Sequence, residues 1–88
     1  MSDLVQAEEV WHDWIVDACG QVDIDPASVD VGGIHDLTRV IAHEFERPMA
    51  PVGAFILGMA IGRHPDADRA ALHDAIERTI TERVSEHG

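Results

Sequence analysis

Four residues at spacings of three, four and four, Asp36, Arg39, His43 and Arg47, are the part of this sequence best suited to chemistry. On a helix turning ~100° per residue they fall within about 80° of one another, so one face would carry a carboxylate, two guanidinium groups and an imidazole. Asp36 is then placed to pair with Arg39, and His43 comes within reach of both arginines. One reading is a solvated ion-pair row whose His43 and Arg47 complement the negative end of the helix dipole. A second is a binder of small ligands: Arg47 precedes a Pro-x-x-Pro corner leading into another helix, whose free N–H groups favour an anion. Arg39, His43 and Arg47 would there hold a phosphate or a partner's carboxylate. A third, an enzyme with His43 as general base, lacks a second catalytic group at a plausible distance. Asp36, Arg39, His43 and Arg47 are therefore the expected ligand- or partner-binding residues, and no catalytic residue is assigned.

Metal chemistry has little to stand on. The six histidines form no His-Glu-x-x-His and no repeated Glu-x-x-His, and a Cys pair is absent. His64, Asp66 and Asp68 are explained by a loop with capping aspartates, so no metal and no cofactor is expected. His12, His35, His73 and His87 fall on expected polar faces or at the tail. Cys19 is the lone cysteine, which excludes an intrachain disulfide and leaves nucleophilic catalysis without a histidine partner.

The elements that must position these groups are helices. Asp3 is suited to cap a first helix, about 3–19, with Leu4, Ala7, Trp11, Trp14, Ile15, Ala18 and Val22 on one stripe and Gly20 at its end. Residues 20–32 form a connector containing Pro26 and two glycines nearby. Ile34, Leu37, Ile41 and Phe45 mark the inner face of a second helix, about 33–46, which Pro48 and Pro51 forbid to continue. Pro51 suits the first turn of a third helix, 51–62, closed by Gly62 and Arg63. Asp66 or Asp68 caps a fourth, 67–84, with Leu72, Ala75, Ile76, Thr79 and Ile80 inward and a frayed tail at 85–88. No segment alternates with period two, so the fold expected is an all-α compact bundle of four helices in a single domain.

Charge narrows the partners. Seventeen acids against six basic residues give a net charge of -11, a field that repels nucleic acid and anionic membrane surfaces. The uncharged run from Pro48 to Gly62 is shorter than the ~20 residues of a membrane-spanning helix and holds two prolines. With no basic-then-apolar leader pattern at the N-terminus, the cytoplasm is the expected location.

That uncharged run leaves the third helix without a polar face. Val52, Phe55, Ile56 and Met59 form one apolar side, Leu57 and Ile61 project to the other, and Ala54, Gly58 and Gly62 leave a shallow groove between them. Either the connector and N-terminal segment wrap the second side, or another molecule covers it. In the latter case Leu57 and Ile61 are the interface residues of a homodimer or of a complex with another protein.

The central segment "DLTRVIAHEFERPMAPVGAFILGMAIGR" resembles a family of small actinobacterial helical domains of unknown function, found alone or fused behind a molybdenum cofactor guanylyltransferase. The pattern is carried by Asp36, Leu37, Arg39, His43, Arg47, Pro48, Ala50, Pro51, Phe55, Gly58, Ala60 and Gly62, with Trp14 matching the family tryptophan of the first helix. This chain departs from it by placing Glu44 and Glu46 beside His43 and Arg47, where the family pattern has small residues. The resemblance implies association with molybdopterin-guanine dinucleotide assembly and implies no catalysis. The function expected is thus a non-catalytic accessory or interaction module, with the guanylyltransferase or a related protein as partner.

Overall fold

The computed structural model describes the backbone of residues 2–87 and the side chains of residues 7–83. Four α-helices appear, α1 (Ser2–Val22), α2 (Val31–Glu44), α3 (Ala50–Arg63) and α4 (Arg69–His87), with short 3-10 turns at Pro26–Ser28 and Arg47–Met49. No strand occurs among the described residues, and the chain is an all-α bundle protein. No helix is long and apolar enough to cross a membrane among those residues. The helices group into two compact units, Met1–Asp30 and Val31–Gly88.

In the first unit α1 passes through Gly20, where the sequence suggested an end, and stops at Val22. Asp23, at φ 59°, supplies the left-handed residue that usually follows a helix, and the Ile24 N–H donates to the Cys19 carbonyl at 2.9 Å. This is a Schellman closure, built on an aspartate in place of the commoner glycine. The Asp3 cap lies outside the described side chains. Beyond α1, Asp25 Oδ1 accepts from the Ala27 N–H at 3.0 Å and Pro26 opens the 3-10 turn, so the connector contains an ordered turn.

The second unit packs α2, α3 and α4 around Leu37, Ile41, Leu57 and Ile80, with Val40, Ala50, Ile61, Leu72 and Ile76 at the margin. Leu37 and Ile41 are one turn apart on α2, and each such buried side chain contributes roughly 1.5–3 kcal/mol. Gly53 lets α3 lie close to α2, since a Cβ there would run into Ile41 Cδ1. α2 begins at Val31 and ends at Glu44, two residues earlier at each end than the 33–46 expected, and Glu46 is extended (φ -139°, ψ 129°) ahead of the Arg47-Pro48 turn.

α4 starts where Asp68 caps it: its Oδ1 accepts from the Ala70 N–H at 3.1 Å, and its carbonyl accepts from the Leu72 N–H at 3.2 Å. Its backbone continues past Val84 to His87. The buried side of α4 is rotated from the expected one. Leu72, Ile76 and Ile80 face inward, while Ala75 and Thr79 are exposed and His73 and Glu77 take the half-buried edge.

Candidate functional site

The polar stripe of α2 divides into two parts. Asp36, Arg39 and His43 are exposed on α2, and Arg39 Nη2 donates to Asp36 Oδ1 at 3.0 Å. Both side chains are more than 60% exposed, so the pair adds little to stability. Arg47 is not on α2. The helix has ended, and Arg47 opens the following 3-10 turn, so it does not continue the ladder expected from helical spacing. Among the described residues, His43 and Arg47 make no side-chain hydrogen bond or ion pair.

On α3 the two apolar sides are interchanged relative to expectation. Leu57 is buried in the core and Ile61 packs against it, so these two residues serve the bundle and leave no open interface. The exposed side is formed by Met49, Val52, Phe55, Ile56 and Met59, which are between 37% and 68% exposed. Phe45, at the end of α2, is exposed as well. The physical reason lies in Gly53. Residues 53, 57 and 61 form one ridge along α3, and Gly53 at its start lets the helix approach Ile41. Greater bulk on the other side could not compensate for a helix backbone held further away.

The outer side carries no charge from Ala50 to Gly62. Exposed side chains of this kind have areas on the order of 150–200 Å² when fully open, so the five leave roughly 400–500 Å² of apolar surface in water. Gly58 and Gly62 are also exposed, and a Cβ at either would meet nothing within 4 Å. Packing within the second unit, among the described residues, sets nothing against either glycine.

A third cluster lies on α4 and was missed because His73 looked like a surface residue. His73 Nδ1 stands 3.3 Å from Asp74 Oδ1 and 3.5 Å from Glu77 Oε2, while its Nε2 is buried without a hydrogen-bond partner. One ligand atom from each of the three lies within 4.8 Å of the others. The four-residue step from His73 to Glu77 was the available signal; the inward rotation of α4 was not legible. Asp68, by contrast, uses its carboxylate to cap α4. Cys19 is a buried free thiol.

Neither the curated proteins nor the solved structures contain a match to this chain. The model of a family described as a domain of unknown function, DUF6457, matches residues 6–87, nearly the whole length, and the chain belongs to that family.

Proposed function

We propose that this domain is a non-catalytic, cytoplasmic protein-interaction module whose docking surface is the outer side of α3. The observation that carries the reading is a helix apolar on both sides: Leu57 belongs to the core, and Val52, Phe55, Ile56 and Met59 remain in water. An uncharged apolar surface of that extent, on a chain otherwise rich in acids, supports a protein–protein contact there. The resemblance of the central segment to domains fused behind a guanylyltransferase supports molybdenum cofactor assembly as the setting. An anion at the corner of α2 and α3 has less support, because Asp36 already engages Arg39 and Glu44 and Glu46 flank the corner.

Calorimetric titration of the full chain into the molybdenum cofactor guanylyltransferase of the same cell tests this reading. Binding that weakens at least ~10-fold in Phe55→Glu, at unchanged helix content, is the expected result. Equal affinity of the two proteins would remove the α3 surface from the account.

A further inference from the structure

We infer that His73, Asp74 and Glu77 of α4 form a binding site for one divalent cation of the zinc type, with His73 Nδ1, Asp74 Oδ1 and Glu77 Oε2 as its ligand atoms. The sequence there reads His-Asp-x-x-Glu. Residues four apart on a helix stand one above the other, so His73 and Glu77 aim at a common point and Asp74 reaches it from the side. Two ligands at this spacing hold zinc in the His-Glu-x-x-His pattern, and here a carboxylate takes the place of the second imidazole. One imidazole nitrogen with two carboxylate oxygens is a donor set that zinc accepts.

The distances fit an ion better than a hydrogen bond. Zinc bonds of ~2.0–2.2 Å at tetrahedral angles place neighbouring ligand atoms about 3.4 Å apart. His73 Nδ1 lies 3.3 Å from Asp74 Oδ1 and 3.5 Å from Glu77 Oε2. A charge-assisted N–H···O bond would measure about 2.7–2.9 Å. The three ligand atoms lie within 4.8 Å of one another, so none has to cross the helix face to complete the set. Three protein ligands leave the fourth tetrahedral position for water or for a carboxylate of another molecule. Asp74, 68% exposed, keeps that position open to solvent.

Two further features separate this cluster from an ordinary row of surface charges. Arg78 stands four residues after Asp74, the spacing of a helical salt bridge, yet it makes no ion pair among the described residues and the Asp74 carboxylate turns to His73 instead. Two carboxylates thus converge on one imidazole nitrogen, where a divalent ion balances both charges. The ring is also held in place: the His73 side chain is 19% exposed and its Nε2 is buried without a hydrogen-bond partner, so Nδ1 is the nitrogen offered to the cluster. Packing alone gives no reason for histidine at that position, because an apolar side chain avoids the buried nitrogen. Magnesium and calcium fit less well, since both take their ligands from oxygen in sets of six or more.

Calorimetric titration of the metal-free full chain with zinc chloride is the test, with circular dichroism confirming that each variant is folded. The wild type takes up one zinc ion per chain, and its thermal unfolding midpoint rises with zinc. His73→Leu and Glu77→Gln each weaken binding at least ~10-fold, the smaller loss found even for groups that only orient a ligand. Glu82→Gln, which removes the same charge from α4 outside the cluster, binds zinc as the wild type does. Cobalt(II) in place of zinc gives the strong visible absorption of a tetrahedral site in the wild type and loses it in His73→Leu. No uptake at millimolar zinc, uptake indifferent to His73→Leu and Glu77→Gln, or equal displacement by magnesium or calcium overturns the site. The α3 docking surface does not depend on any of these results.

Discussion

Phe55 and Leu57 are two residues apart on α3 and face opposite ways: Leu57 is 4% exposed in the core, and Phe55 is 68% exposed. A larger apolar side chain stands in water while a smaller one is buried, so α3 forgoes roughly 1.5–3 kcal/mol that burying the ring would contribute. Core packing of the second unit explains Leu57 and makes no use of Phe55.

That relationship separates two truncations. Leu57→Ala opens a cavity among Leu37, Ile41 and Ile80 and lowers the unfolding free energy by about 2–4 kcal/mol. Phe55→Ala changes the stability of the dilute protein by less than about 0.5 kcal/mol. Urea unfolding followed by helix content measures both, and a large loss in Phe55→Ala would place the ring inside the fold.

Two glycines of the same helix respond in opposite directions to alanine. At Gly53 the new methyl displaces the Ile41 side chain, and overpacking of that kind costs about 1–3 kcal/mol, more than the ~1 kcal/mol gained in helix propensity. At Gly58 the methyl enters open space, so Gly58→Ala raises the midpoint of thermal unfolding by an amount equivalent to about 0.5–1 kcal/mol.

The start of α4 depends on one carboxylate. Asp68→Ala removes the acceptor of the Ala70 N–H and lowers stability by about 1 kcal/mol, while Asp66→Ala, whose side chain does not perform that task, has a smaller effect. Equal losses in thermal unfolding would mean that Asp68 is not the functional cap.

His73 holds a buried Nε2 that forms no hydrogen bond. Replacing such a group with an apolar side chain of similar size is neutral or stabilising, because a desolvated acceptor no longer has to be accommodated. His73→Leu therefore raises stability by about 1 kcal/mol in urea unfolding. A loss of similar size would show that contacts with Asp74 and Glu77 outweigh the buried nitrogen.

Periodicity and punctuation made the four helices legible, because Pro48, Pro51 and Asp68 leave few other ways to divide the chain. Helix ends were less legible. Asp23 performs a closure that composition assigns to glycine, and the extended Glu46 removes Arg47 from the row it shares by spacing with His43. The choice between the two sides of α3 was not legible at all, since both are apolar and counting bulk favours the wrong one. That choice is made between helices, by the fit of Gly53 against Ile41. The same holds for α4, where Leu72, Ile76 and Ile80 bring His73 partly inside.

The central claim, that the outer side of α3 is a docking surface, is tested most directly by amide chemical-shift mapping of the full chain during titration with the guanylyltransferase. Perturbations are predicted at Met49, Val52, Phe55, Ile56 and Met59, with Leu37 and Ile80 unaffected. Shifts confined to Asp36, Arg39 and His43, or no shifts at all, would contradict it.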